Sequence, residues 1–196
     1  MISDNLRQFD LYFPGSWIEG ADRDWAFQSM LVLHQIENLF VESVAAFSLV
    51  RPMTIDNYQE FMGREHSQYE RCLNNLYAKG FVFALDGIYK LLYRLCQYLN
   101  PPPAVLLQRD KYIERFGHLK HIRDSAIHIE DRGRGVTRTQ NPINTNFLVI
   151  GSFIERRFSF TGEDGINYEV EISATTLKDA KAIIQEVINA YSWSQI

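Results

Sequence analysis

The residues best suited to chemistry lie in one short stretch, Gly117–Gly135, which reads GHLKHIRDSAIHIEDRGRG. It holds three of the five histidines of the chain, together with three arginines. A histidine titrates near neutral pH and can move protons, and an arginine guanidinium can hold an anionic oxygen. The stretch therefore predicts proton transfer beside a bound anion.

A helix over this stretch would present two faces, because successive side chains are turned by about 100°. The apolar face carries Phe116, Leu119, Ile122 and Ala126, and a second stripe carries His118, His121, Ser125 and His128. Arg123 falls inside the apolar arc, where its guanidinium must be paired or reach a polar cleft or subunit interface. Asp86, in a very apolar stretch, also needs a partner, and Arg123 and Lys90 are the candidates.

The segment Arg123–His128 has the form Arg-polar-x-x-x-His. In these six residues the chain resembles the HEPN superfamily, helical-bundle domains found in RNA toxins, defence nucleases and scaffolds. The resemblance implies a helical bundle, usually a homodimer, whose active members cleave RNA without metal in a cleft at the subunit interface. On that analogy Arg123 and His128 match the active-site positions, and Asp124 matches the polar position.

The chemistry fits these residue types, because RNA supplies its own nucleophile in the 2′-OH. His128 can act as general base or acid, and Arg123 can stabilise charge on the phosphoryl oxygens. Asp124 could orient the His128 ring or hold Arg123. The expected reaction is endonucleolytic, needs no cofactor or metal, and leaves a 2′,3′-cyclic phosphate and a 5′-hydroxyl. Candidate RNA contacts are Lys120, His121, Arg132 and Arg134.

Two other interpretations of the stretch stay open. His118, His121 and His128 share a face and could bind a metal, but seven residues of helix span about 10.5 Å, too far for one ion without further ligands. Alternatively the stripe is a solvated or interfacial polar face with no chemistry. The chain would then be a non-catalytic, HEPN-like dimeric interaction or scaffold protein. The enzyme hypothesis implies a toxin or defence component with an antitoxin protein as partner.

The charge of the chain bears on an RNA substrate. A net charge of −4 argues against attraction of nucleic acid to the whole surface. Residues 109–138, however, carry eight lysines or arginines against five acids, a local charge of +3. The sequence therefore predicts a local basic patch on an acidic body, able to contact a few phosphates with salt-dependent affinity.

The fold class predicted is mainly α: a HEPN-like four-helix bundle with a small antiparallel β-hairpin addition and a C-terminal helix. Residues 1–23 are expected to be an irregular N-terminal segment that packs on the body or on a partner subunit. Residues 24–132 form the bundle, and residues 133–196 form the hairpin and closing helix within the same single domain. The predicted bundle helices run over 24–50, from a cap at Thr54 or Asp56 to a break at Gly80, over 81–99, and over 104–131 with an interruption near Gly117.

The hairpin and closing helix follow from other local signals. Apolar alternation within 147–172 predicts strands, with Glu163-Asp164-Gly165 as the turn between the last two. The last helix is expected over 176–193, with a capping box formed by Thr176 and Asp179.

The composition is that of a globular protein, with 46% hydrophobic and 22% charged residues. Two cysteines exclude a disulfide framework. No signal peptide is visible, and the apolar stretches are interrupted by charged or polar residues, which predicts that none spans a membrane. We therefore expect a cytoplasmic protein with no membrane partner.

Overall fold

The computed structural model describes residues 4–20, 22–51 and 67–194. It is mainly helical with a small antiparallel sheet, which confirms the fold class at that level. Its helices are α1 (Arg23–Leu49), α2 (Ser67–Tyr98), α3 (Pro103–Phe116), α4 (Leu119–Ile127), α5 (Ile129–Gly133) and α6 (Ala174–Asn189). Its strands are β1 (Trp17–Ile18), β2 (Ile150–Ile154), β3 (Arg157–Thr161), β4 (Asn167–Glu171) and β5 (Trp193–Ser194).

Helix α1 matches the predicted helix closely. Asp22 caps it, since its Oδ1 accepts the backbone N–H groups of Asp24 at 2.9 Å and Trp25 at 3.3 Å. The side chains of Leu33, Ile36 and other apolar residues at helical spacing are fully buried. The helix therefore forms because its apolar positions recur at the helical period.

Helix α2 continues through Gly80, so the predicted break there is wrong. A glycine inside a helix costs only about 1 kcal/mol relative to alanine. Ala78, Phe81 and Val82, which flank the glycine, are fully buried, and their packing outweighs that cost. The predicted cap at Thr54 or Asp56 lies outside the described residues.

The chain divides into two compact units, each assembled from separate segments of sequence. Unit 1 comprises residues 1–44, 84–117 and 175–196, and unit 2 comprises residues 45–83 and 118–174.

In unit 1 the N-terminal segment packs against the last helix. Strand β1 pairs antiparallel with β5, and Phe9 and Ile18 are buried. The side chain of Gln185 in α6 accepts from the backbone N–H of Tyr12 at 2.8 Å and donates to its carbonyl at 2.7 Å. The predicted packing of this segment on the body of the protein is therefore confirmed.

Helix α6 begins two residues before Thr176, so the predicted capping box is wrong. Thr176 is buried inside the first turn of the helix. Asp179 instead accepts a hydrogen bond from Nε of Arg115 at 2.9 Å. Apolar residues of this helix, which include Leu177 and Ile184, are buried.

Unit 2 contains a three-stranded antiparallel sheet in the order β2-β3-β4. Helix α4 packs against it, and the inward residues Phe158, Phe160 and Val170 are buried. The Glu163-Asp164-Gly165 turn between β3 and β4 is confirmed, with Gly165 at a φ of 80° that glycine adopts readily. Strand β2 carries a bulge at Gly151, where the pairing register shifts.

Candidate functional site

The helix predicted over 104–131 is not continuous but consists of the three segments α3, α4 and α5. Gly117 separates the first two, and a Cβ there would lie 2.6 Å from the carbonyl oxygen of Ile113. The predicted interruption near Gly117 is therefore confirmed. A second break at His128, with φ −101° and ψ 44°, corrects the prediction of a helix continuing to Asp131.

The predicted apolar face of this stretch is confirmed, whereas the predicted polar face is not. Phe116, Leu119, Ile122 and Ala126, the apolar arc, are all buried as expected. Ser125 is also buried, and its hydroxyl donates to the carbonyl of Thr161 at 2.9 Å. The predicted polar stripe therefore does not form one continuous face, because the helix ends at His128 and Ser125 is buried against the sheet.

Arg123 is held by its neighbour in the motif. Its Nε donates to Oδ1 of Asp124 at 2.8 Å, and its Nη2 donates to the same oxygen. The side chain of Arg123 is only 14% exposed, whereas that of Asp124 is 38% exposed. Of the two roles predicted for Asp124, the structure shows the one in which it holds the guanidinium.

His128 lies half-buried at the junction of α4 and α5. Its backbone N–H donates to the carbonyl of Asp124 at 3.1 Å, which closes the last turn of α4. Two carboxyl groups nearby have lowered pKa values. The pKa of Asp131 is lowered chiefly by hydrogen bonds from Gln140 and Arg134, and the charge of His128 contributes in the same direction.

The second carboxyl group is that of Glu163. Its pKa is lowered first by the backbone N–H of Arg138 and then by the Arg132 guanidinium, with a smaller contribution from His128. Glu163, like Asp131, therefore remains a carboxylate at neutral pH.

The His128 junction also brings together possible metal-donor atoms. Among the described residues, the donor atoms of His128, Glu130 and Asp131 lie within 4.8 Å of one another. Nitrogen and carboxylate oxygens suit a divalent ion such as zinc. However, Oδ1 of Asp131 already accepts hydrogen bonds from Arg134 at 2.6 Å and Gln140 at 3.1 Å. This set differs from the three histidines considered as a metal site from the sequence.

Of the predicted RNA contacts, Lys120 is exposed and His121 is half-buried. The His121 ring stacks on Tyr168 of β4, with ring centroids 4.2 Å apart and planes 5° from parallel. The Tyr168 hydroxyl donates to Asp164 at 2.6 Å. Burial alone would raise the pKa of Asp164, but the hydrogen bond from Tyr168 and others hold it below its ordinary value. His121 therefore belongs to the contact between α4 and the sheet.

Arg132 requires a correction. It is fully buried, and its guanidinium donates to Oγ of Ser125 at 3.2 Å, to the carbonyl of Val136 at 2.8 Å and to Glu163 at 3.0 Å. A group enclosed in this way does not face an RNA phosphate. Arg134, by contrast, is exposed and paired with Asp131.

The predicted basic patch is also changed by the structure. Five of its eight cations form ion pairs: Arg109–Asp110, Arg115–Asp179, Arg123–Asp124, Arg132–Glu163 and Arg134–Asp131. Asp179 and Glu163 lie outside residues 109–138, so counting charges along the segment omitted them. The segment also crosses from unit 1 to unit 2 after residue 117. It does not form the uncompensated +3 patch that the sequence predicted.

Asp86, the acid in the apolar part of α2, is buried and pairs with Nζ of Lys90 at 3.0 Å. Lys90 was one of its two predicted partners. Complete burial raises the pKa of Tyr112, and the negative charge of Asp86 adds a smaller contribution in the same direction. The Tyr112 hydroxyl donates to the carbonyl of Leu85 at 2.9 Å. The alternative pairing of Asp86 with Arg123 stays a prediction.

Sequence reasoning missed a polar pocket in unit 2. It is lined by Asn144, Thr145, Asn146, Phe147, Gly165 and Asn167 and has a volume of about 450 Å³. The run of Asn and Thr residues before the first strand of the sheet was the available signal. Glu163, the partner of Arg132, was also missed, because it is 31 residues away along the chain.

Comparison of the chain with protein-family models, with curated proteins and with solved structures finds no match. Its function is therefore argued from its own residues and from the resemblance carried by the motif.

One helix among the described residues, α1, is long and apolar enough to cross a membrane. Its most apolar 18-residue window has a mean hydropathy of 1.2 and is 33% buried. By length and composition, α1 therefore corrects the expectation that every apolar stretch of the chain is too polar to span a membrane. A core helix of a soluble protein meets the same criterion, so α1 is weak evidence for a membrane.

Proposed function

We propose that the chain is a metal-independent endoribonuclease of the HEPN type, built on a HEPN-like four-helix bundle and acting as a cytoplasmic homodimer. The observation that carries the proposal is the Arg123–Asp124 pair. It fixes a largely buried guanidinium within the motif whose last residue, His128, is half-buried at a helix junction. An oriented cation can stabilise charge on a phosphodiester, and a histidine can transfer protons during 2′-OH attack.

The proposed reaction is an intramolecular transesterification, in which the 2′ oxygen of the RNA replaces the 5′ oxygen on phosphorus. A neutral His128 imidazole accepts the 2′-OH proton, the 2′ oxygen bonds to phosphorus, and the bond from phosphorus to the 5′ oxygen breaks. A protonated imidazole then supplies a proton to that leaving oxygen. A homodimer contains two copies of His128, so both protonation states can be present in one cleft. The products are a 2′,3′-cyclic phosphate and a 5′-hydroxyl.

Arg123 and Asp124 have separate parts in this proposal. The Arg123 guanidinium would stabilise the negative charge that develops on the non-bridging phosphoryl oxygens. Asp124 is a positioning residue, since it holds the guanidinium. Its hydrogen bonds use Nε and Nη2 of Arg123, and a lysine could not reproduce that fork.

Cleavage of an unstructured RNA by the full chain in EDTA tests the proposal. We expect His128→Ala to lower the rate roughly 100- to 10,000-fold, the usual range for loss of a general acid or base. Arg123→Ala and Arg123→Lys should both lower it, because charge without the fork is insufficient. His34→Ala and Arg157→Ala are matched controls, since both residues are exposed and paired with an acid.

Unchanged cleavage in both the His128→Ala and Arg123→Ala variants would overturn the proposal, as would no cleavage by the wild type. Light scattering tests the dimer separately. A monomer at micromolar concentration would remove the composite cleft.

A second candidate function is a non-catalytic HEPN-like interaction or scaffold protein. Exposed apolar side chains on α1 favour it, among them Phe27, Leu31 and Val41. Such a surface suits a protein partner, and an antitoxin protein is the partner that the resemblance implies. A stable dimer that never cleaves RNA, and whose association Leu31→Ser or Val41→Ser weakens, would support this candidate over the enzyme.

A further inference from the structure

The polar pocket of unit 2 is formed by two segments that meet at one end of the sheet. One is the loop 144–147 before β2, and the other comprises Gly165 and Asn167 at the turn between β3 and β4. The pocket has a volume of about 450 Å³ and is largely open to solvent. No residue that lines it is charged.

Close contacts hold the two segments in place. A Cβ at Gly165 would lie 2.1 Å from the carbonyl oxygen of Asn144, so only glycine allows the turn to approach the loop this closely. Within the loop, the Thr145 hydroxyl donates to the carbonyl of Phe147 at 3.0 Å and accepts from its N–H at 3.4 Å. The pocket is therefore shaped by the close approach of two backbone segments and by the hydrogen bonds of the Thr145 hydroxyl.

Asn167 presents a fixed orientation. The Thr161 hydroxyl donates to Oδ1 of Asn167 at 2.6 Å and accepts from the N–H of Val149 at 2.7 Å. The bond from Thr161 occupies the carbonyl oxygen of the Asn167 carboxamide, and the bond from Val149 holds the Thr161 hydroxyl in place. Its NH₂ group remains for an acceptor on a ligand.

The other side chains add an aromatic face and two more carboxamides. Phe147 is 71% exposed, so its ring is accessible for stacking from the pocket. Asn144 and Asn146 are exposed, and their carboxamides line the pocket. A flat, neutral ligand with both donors and acceptors on its edge would match this set.

We propose that this pocket binds one unpaired nucleobase of single-stranded RNA, stacked on Phe147, with its edge read by the carboxamides of Asn144, Asn146 and Asn167. Carboxamides form paired hydrogen bonds with base edges, and aromatic rings stack on any base. A base inside a duplex is already stacked and paired, so the pocket selects single strands or loops. This inference rests on the proposed function, and it names the substrate class for that activity.

Binding of a ten-nucleotide unstructured RNA and of its blunt duplex tests the pocket directly. The protein is the full chain with His128→Ala, which keeps the RNA intact. We expect Phe147→Ala to weaken binding of the single strand roughly 5- to 150-fold, the range measured for loss of one base–aromatic stack. Ile166→Ala is the matched control, because Ile166 is an exposed apolar residue in the same turn that does not line the pocket. The duplex should bind weakly and equally to both variants.

Side-chain amide signals in ¹⁵N-labelled protein give a second measurement. The NH₂ signals of Asn144, Asn146 and Asn167 should shift on adding nucleoside monophosphates, and Phe147→Ala should abolish the shifts. Unchanged affinity of Phe147→Ala for the single strand would overturn the inference. So would shifts caused by a phenylalanine-containing peptide and not by nucleotides.

Kinetics on protein with His128 intact separate this inference from the ribonuclease proposal. Phe147→Ala should raise KM for single-stranded RNA and leave kcat unchanged. Cleavage with an unchanged KM and unchanged binding in Phe147→Ala would overturn the pocket and leave the ribonuclease standing. If the wild type never cleaves RNA but binds it in a way that depends on Phe147, the pocket is supported and the ribonuclease proposal is overturned.

Discussion

Arg123 and Arg132 are nine residues apart, and each forms an ion pair, yet their surroundings differ. Arg123 bonds to the adjacent, partly exposed Asp124 and keeps 14% of its side chain in solvent. Arg132 has no exposed surface and joins residues from three places in the chain, Ser125, Val136 and Glu163. The first pair is local and near the surface, and the second network connects α4, α5 and the β3–β4 turn.

The difference shows that residue type and spacing do not separate an arginine with a local, partly exposed partner from one that is fully buried. Both arginines lie in the same histidine-rich stretch, where Arg123 was predicted to be catalytic and Arg132 to contact RNA. Burial and the sequence distance to the partner separate them. We therefore expect the two sites to respond differently to substitution, with stability changing at Arg132 and activity at Arg123.

The largest expected effect on stability is that of Arg132→Ala. It removes three hydrogen bonds and leaves the oxygens of Ser125 and Val136 without this donor. Breaking a buried charged network of this kind costs about 3 kcal/mol of unfolding free energy. Urea unfolding followed by circular dichroism measures it. Arg132→Lys should recover only part of the loss, and an Arg132→Ala protein as stable as the wild type would remove the contrast with Arg123.

Ser125→Ala should have an intermediate effect of about 2 kcal/mol. The substitution removes the donor to the carbonyl of Thr161 and the acceptor for Nε of Arg132, and both groups are buried. A double-mutant cycle with Arg132→Ala measures the coupling between the two side chains. Strictly additive losses would show that they do not act as one network.

Acid should weaken the Arg132 network through Glu163. The pKa of Glu163 lies below its ordinary value of 4.5, first because of the backbone N–H of Arg138 and then because of Arg132. A carboxyl group with a lowered pKa stabilises the fold above its unfolded pKa, and this contribution is lost as pH falls through its folded pKa. Urea midpoints should therefore fall less for Glu163→Gln than for the wild type between pH 5 and about pH 3. Parallel decreases would exclude Glu163 as a source of acid sensitivity.

The smallest effect on stability is expected for Asp124→Asn, at less than about 1 kcal/mol, because a partly exposed pair contributes little. The cleavage rate should fall clearly while the free energy of unfolding changes little, because Arg123 loses the carboxylate that holds it. RNA cleavage rates and urea midpoints measured on the same preparation make the comparison. A loss of stability equal to that of Arg132→Ala would make the Arg123 pair a structural feature as well.

Local features were predictable from the sequence. Strands β3 and β4 follow from alternating apolar residues with a turn at Glu163-Asp164-Gly165, and both signals act within a few residues. The buried arc that includes Leu119 and Ile122 follows from helical spacing in the same way.

Features that depend on distant residues were not predictable. Gly80 suggested a break, but the packing of its neighbours keeps α2 continuous. The polar stripe assumed one helix, whereas α4 ends at His128. Arg132 was predicted to contact RNA because its partner, Glu163, is distant in the sequence. Only the folding of the sheet brings Glu163 to Arg132.

The bulge at Gly151 has a consequence for how the protein associates with itself. An antiparallel sheet of three strands has two open edges, along which a strand of another molecule could add. At the β2 edge, the bulge distorts the ladder that such a strand would extend. At the β4 edge, Glu169 and Glu171 would meet the same charges of an antiparallel copy. Sheet extension between copies is therefore disfavoured at both edges of this sheet.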